Sequence, residues 1–312
     1  MKKISPGKKT RFWRAFRRQW DLQLMVLPAI VVLILFSYLP MSGIIIAFKD
    51  FTFRKGIFGS DWVGLKHFQS IITDPFVHRA LYNTVMLSLL RLAIVFPAPL
   101  IFALMLNEMR FPRLKRVYQT MSYLPYFVSW AIVCAMVPVW LAPNTGFVNS
   151  LLQFFGIIKE PVAFLSEPGY FYGLTIILEL WKSIGFSAII YLAAIAGIDQ
   201  EQYEAAMIDG ASKFQKMRYI TIPSIRGTVS LLFILSISGI LGGNFDVSYL
   251  LGNGGNISRS EILQTYNYHM GIIQGRFSYA TMVGLMLGVV ALAFLLIGNA
   301  VIKKLTKTSG LF

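Results

Sequence analysis

Apolar residues gather in six long runs, at about 22–48, 84–106, 117–141, 170–197, 228–251 and 279–302, with shorter polar stretches between them. Each run is long enough to cross a hydrocarbon core of about 30 Å as a helix. A bilayer interior offers backbone groups no water, so continuous helices are the expected form. The pattern predicts an all-α integral membrane protein with six transmembrane helices. The first run is too long for a signal-peptide h-region and lacks a small-residue cleavage site, so it is expected to remain as a span. Pro97 and Pro99 predict a kink in the second run, and Pro125 and Pro138 one in the third. Gly284 and Gly288 give the sixth a small-xxx-small face suited to close helix packing. No internal duplication of the inverted-repeat kind is visible.

The longest polar, amphipathic segment lies between the fourth and fifth runs, at 199–223. Asp199 is placed to N-cap a helix, with Gln202 three residues later to bond back. Tyr203, Ala206 and Met207 then share a face at i, i+3, i+4 spacing. Gly210 tolerates the positive φ that ends a helix, Ser212 with Gln215 forms a second capping box, and Pro223 marks the far end. Glu201, Glu204 and Asp209 fall on the first helix, Lys213, Lys216 and Arg218 on the second. The segment reads as a short rigid knob built to dock on something.

Composition sharpens this picture. Hydrophobic residues make up 56% and charged residues 14%, with mean hydropathy +0.62, which excludes an ordinary soluble domain. A net charge of +15 suggests nucleic acid only until the basic residues are placed, since they flank apolar runs rather than forming one face. Membrane lipids with anionic headgroups are the partner this distribution implies, with no nucleic acid. A basic tail at 1–21 (Lys2, Lys3, Lys8, Lys9, Arg11, Arg14, Arg17, Arg18), the loop at 107–116, the 199–223 loop and the end (Lys303, Lys304, Lys307) share one side of a six-span chain. They carry most of its lysine and arginine, so the positive-inside rule sets both termini and the knob in the cytoplasm. The single Cys134 permits no intrachain disulfide. His67, His78 and His269 are scattered without ligand spacing, so no metal site is expected, and no G-x-x-x-x-G-K-[ST] phosphate loop occurs.

Glu204-Ala205-Ala206, then Gly210, then Ile220-Thr221-Ile222-Pro223 resembles the EAA motif, EAA-x3-G-x9-I-x-L-P, of the membrane subunits of binding-protein-dependent ATP-binding-cassette (ABC) importers. Ile222 stands where the family usually has Leu, a volume-conserving change. Similar strings of carbohydrate-uptake permeases run over about 83–302: Asn83-Thr84, the stretch 103–108, 123–130, 191–195, Phe245-Asp246 and 251–255. The resemblance implies a permease with a first helix and extracellular loop at 22–81, a core domain at 82–302 and a cytoplasmic tail at 303–312. It implies no catalysis and no cofactor in this chain, with ATP and Mg bound by a partner ATPase. The expected partners are a second related permease subunit, two cytoplasmic ATPase subunits, an extracellular solute-binding protein received by loops 49–80 and 143–169, and a sugar, closest to oligosaccharides. The membrane is then the bacterial cytoplasmic membrane. Glu204, Ala205, Ala206, Asp209, Gly210 and Pro223 become the ATPase-coupling residues, and ATPase closure is expected to swing the attached spans from outward to inward access.

Polar residues inside spans face partners or a water-filled path. Arg91, Glu179, Lys182, Asn244 and Asp246 stand out. Glu179 and Lys182, three apart, either neutralise each other or contact substrate. Sugars need hydrogen-bonding groups and aromatic faces, and Trp181, Tyr191, Asn244, Phe245, Asp246 and Tyr249 supply both; core or lipid-facing aromatics are the alternative. Asn244, Asp246 and Tyr249 share no straight helix face, so local unwinding at Gly242-Gly243 is expected. The competing reading is a proton-coupled secondary carrier, acting as an oligomer through Asp246 or Glu179. An enzyme fits least, because no nucleophile–base set is present.

Overall fold

The computed structural model describes residues 18–306 apart from 240, 242 and 243. The basic residues before Arg18, the Gly242-Gly243 pair and the tail from 307 lie outside the described residues. Ten helices carry the argument: α1 (Trp20–Phe48), α2 (Pro75–Asn107), α3 (Pro112–Phe127), α4 (Trp130–Trp140), α5 (Pro168–Ala196), α6 (Gln200–Ile208), α7 (Lys213–Ile237), α8 (Phe245–Leu251), α9 (Leu263–Tyr268) and α10 (Phe277–Thr306). Five of them are long and apolar enough to cross a membrane, and the number is six where the bent pair α3 and α4 counts as one broken span. The fold is an all-α membrane fold; its β structure among the described residues is a two-residue antiparallel ladder, β1 (Lys49–Asp50) with β2 (Asp61–Trp62), Lys49 opposite Trp62.

Two spans differ from the hydropathy pattern. The third is not one kinked helix but two, meeting at 98°. Pro125 sits in the 3-10 turn Leu124–Phe127 at that elbow, where its missing N–H ends the α-helical ladder, whereas Pro138 stays inside α4. The fifth begins fifteen residues earlier than hydropathy indicates: α7 runs unbroken from Lys213, and α8 follows as a separate short helix. Pro223 therefore does not end the knob's second helix. A π turn, Met217–Thr221, precedes it, with Ile222 N–H bonding back to Met217 O, and this wide turn accommodates the proline ring. The same device, π turn Arg91–Val95 with Phe96 N–H on Arg91 O at 2.9 Å, carries α2 past Pro97.

Three apolar clusters hold the bundle. Ala47, Ile71, Val77, Tyr266 and Tyr279 unite the end of α1 with α2, α9 and α10; at its edge Asp74, N-cap of α2, accepts from Tyr266 and Tyr279 hydroxyls at 2.7 and 2.8 Å. Val133, Cys134 and Val137 of α4 pack on Phe171 and Leu178 of α5 and on Val247 of α8. Ala103, Tyr191, Ile195 and Ile225 join α2, α5 and α7 near the knob. Among the described residues no helix packs closely on the Gly284/Gly288 face: a Cβ on Gly288 would meet nothing within 4 Å, and one on Gly284 only Asn267 at 3.7 Å. Among the close approaches are those of Gly185, against the Ser122 backbone, and Gly298, against Ile237. Packing partners, not glycine spacing, decide where helices touch. The α1 face from Leu22 to Leu39 is almost wholly exposed, and Ala47 is its one fully buried residue in the final turn.

Candidate functional site

Where α2, α5 and the α3–α4 elbow meet α8, a cavity of about 360 Å³ opens inside the bundle. Arg91 of α2 pairs with Glu179 of α5, Nε to Oε2, at 2.8 Å. The other carboxylate oxygen, Oε1, is buried with no hydrogen-bond partner among the described residues. Lys182 does not neutralise Glu179, contrary to the helix-spacing reading. Its Nζ donates to the carbonyls of Tyr126 (2.7 Å), Pro125 (3.4 Å) and Val128, and lies 5.4 Å from the ring centroids of Tyr126 and Trp130. The broken third span explains this: the carbonyls at the end of α3 point out of the helix with spare acceptor capacity, although that of Pro125 also accepts from Val128 N–H, and they attract the ammonium.

Asn244, Phe245 and Asp246 reach the same cavity. Asn244 precedes α8 and caps it, Oδ1 accepting from Val247 N–H at 3.3 Å, so it need not share a helix face with Asp246. Tyr249, one turn on, stacks on Phe245 (5.4 Å, 9°) and meets Tyr268 edge-on at 5.2 Å, forming an aromatic layer beside the cavity rather than its wall. Tyr191 is buried in the inner cluster and borders an adjoining cavity of about 340 Å³ that shares Arg91, Val95 and Ser183 with the first. Trp181 is a correction. It lies about 200° around α5 from Glu179 and faces an outer apolar groove with Trp140 and Ile177. Tyr126, Trp130 and Gln264 complete the wall. The first two follow Pro125, within the 123–130 stretch that carries the permease resemblance; Gln264 falls between the apolar runs and carries no such signal.

At the cytoplasmic end the knob forms as spelled, with two exceptions. Asp199 accepts from Glu201 N–H at 3.1 Å, but the reciprocal bond from Gln202 is not made. Met207 turns outward, leaving Tyr203 and Ala206 half-buried. Gly210 takes φ +75°, and the Ser212/Gln215 box closes with bonds of 3.3 and 2.7 Å. Tyr203 and Thr221 hydroxyls bond at 2.8 Å and clamp α6 to α7. Lys213 donates to Glu108 O at 3.1 Å, tying the knob to the end of α2. Glu204, Ala205 and Asp209 are exposed, as are Ile208 (87%) and Phe214 (63%). The last two leave apolar side chains open at the tip of a rigid turn.

Residues 95–307 match the family described as binding-protein-dependent transport system inner membrane component. The chain belongs to this family. It is an ABC importer permease of the carbohydrate-uptake kind, a multi-pass protein of the bacterial cytoplasmic membrane. Protein LplB of Bacillus subtilis (strain 168) is 41% identical to it over 309 residues, 99% of this chain and 96% of that one. The polygalacturonan/rhamnogalacturonan transport system permease protein YteP of the same organism is 43% identical, covering 92% and 89%. A crystal structure of a bacterial ABC transporter involved in the import of the acidic polysaccharide alginate has a chain that superposes with TM-score 0.88 at 35% identity, covering 95% of this permease and 99% of that chain. A second, of an alginate transporter in complex with alginate pentasaccharide-bound periplasmic protein, matches with TM-score 0.88 at 36% identity, covering 96% and 100%.

Proposed function

We propose that this permease passes an oligosaccharide through the Arg91–Glu179 cavity by alternating access, driven by ATP and Mg on two ATPase subunits that grip the knob. The observation that carries this reading is continuity: α7 extends without a break from Lys213 at the knob to Leu232, Leu235 and Ser236 on the wall of the inner cavity. Movement imposed on the knob is delivered to that wall by one rigid rod. Glu204, Ala205, Ala206, Asp209 and Gly210 form the part an ATPase groove would hold, with Glu204 facing a basic residue there; Pro223 belongs to the rod. In the cavity Asp246 and Asn244 accept or donate to sugar hydroxyls, and Tyr126, Trp130 and Phe245 offer ring faces. The substrates that the relatives are named for, polygalacturonan, rhamnogalacturonan and alginate, support a saccharide longer than a disaccharide. A second permease completes the path, and the 49–80 and 143–169 loops receive a solute-binding protein.

The test is capture of tagged permease from its native cells in mild detergent, with every co-purifying chain identified and uptake then reconstituted. An ATPase, a second six-span permease and a solute-binding protein are expected, with uptake that stops when ATP is withheld. A chain recovered alone and transporting on a proton gradient would reinstate the carrier and leave Glu204 as plain surface.

A further inference from the structure

Helix α3 enters from the cytoplasmic side, because the Lys213–Glu108 contact places its start beside the knob. One face turns inward: Lys115, Gln119 and Ser122 are half-buried, with the Ser122 backbone against Gly185. The opposite face exposes Arg113, Arg116, Val117, Thr120 and Met121, which recur at i, i+3, i+4, i+7 and i+8 and so form one stripe. They line a hollow of about 440 Å³. Neither arginine has an ion-pair partner among the described residues. The order along the stripe is informative. Two cations stand at the cytoplasmic end, then Val117, the Thr120 hydroxyl and Met121 continue along the helix away from it.

We infer that this stripe binds an anionic phospholipid of the inner leaflet. The headgroup phosphate sits on the Arg113 and Arg116 guanidiniums, which suit phosphate oxygens in paired hydrogen bonds, and an acyl chain lies along Val117 and Met121. Charge complementarity selects this occupant. A helix of the second permease would have to bring carboxylates to the membrane edge to match the two arginines, whereas a phospholipid carries its negative charge at that depth and hydrocarbon just below. The site has mechanical meaning, since α3 ends at the elbow that Lys182 clamps on the cavity wall. A lipid held on its outer face braces the helix from the side opposite Gly185.

The experiment uses the assembled importer in nanodiscs with phosphatidylglycerol bearing a photoreactive acyl chain. Cross-links are expected at Val117–Met121 of the unaltered protein, and phosphatidylcholine carrying the same chain should give few. The R113Q/R116Q variant should retain phosphatidylglycerol about thirtyfold less, from the attraction of two cations to an anionic surface, and R113K/R116K should keep most of it. Equal labelling by the two lipids would overturn the inference. So would cross-linking of this face to another chain of the importer, or displacement of the probe by inorganic phosphate alone.

Discussion

Arg91 and Glu179 set the chemistry of the cavity, and their exposure is unequal: the Glu179 side chain is 5% exposed and that of Arg91 32%. Removing the arginine strands a buried carboxylate, whereas removing both charges strands nothing. Breaking a buried pair costs about 3–5 kcal/mol; the partial exposure of Arg91 puts this one near 3 kcal/mol. Arg91→Met should therefore lower thermal stability in detergent, and Arg91→Met/Glu179→Met should recover much of the loss; a double variant weaker than the single one would contradict the pairing. All the charged residues of the cavity stand out in the sequence as polar letters in apolar runs. Their partners do not. Lys182 was three residues from Glu179 on paper, yet it answers to carbonyls of a different helix, because an elbow that no local spacing encodes put acceptors with spare capacity within its reach.

At the scale of elements, the knob was the most legible part, since caps and a left-handed glycine are local devices that need no tertiary information. Gly210→Pro tests it. A φ of +75° is closed to proline, which is fixed near −65°, so the α6–α7 angle must change. Uptake by the assembled importer should fall to background while membrane insertion stays at the wild-type level; normal uptake would mean the knob is not the coupling element. Spans were legible as runs of hydrophobicity, and Pro125 marked the break in the third, but not its splitting of the run into two helices at 98°. The capping pattern reads a helix from Lys213 that Pro223 ends, and hydropathy starts the next span at about 228, so neither signal shows that the two are one α7. Hydropathy also reads the 128–129 stretch as continuous, because the elbow residues are as apolar as their neighbours. The Gly284/Gly288 stripe misled for the converse reason: small residues permit contact, and only a neighbour supplies it.

For the whole molecule, sidedness follows from the basic loops and from the Lys213–Glu108 contact, and the chain contains its own means of checking it. Its single cysteine, Cys134, is buried, so thiol labelling starts from a silent background. Phe58→Cys, at a site 87% exposed beside the β ladder, should react with a membrane-impermeant maleimide in intact cells, and Ile208→Cys only after permeabilisation. Labelling of Ile208→Cys in intact cells would reverse the topology. The open face of α1 belongs to this scale as well: a span with one buried residue gains little from its own chain, so lipid or another subunit must cover it.

The π turn at Met217–Thr221 has a meaning for how this protein can vary. A wide turn holds one residue more than a regular one, and each residue sets about 100° of rotation about the helix axis. The heading of the knob relative to the cavity is thus written in the number of residues between Ser212 and Ile222, not in their identities. Deleting one would let α7 relax to an ordinary helix and point the same surface elsewhere. Side-chain scanning would pass over this setting, and so would selection acting one substitution at a time; a change of length by one residue would not.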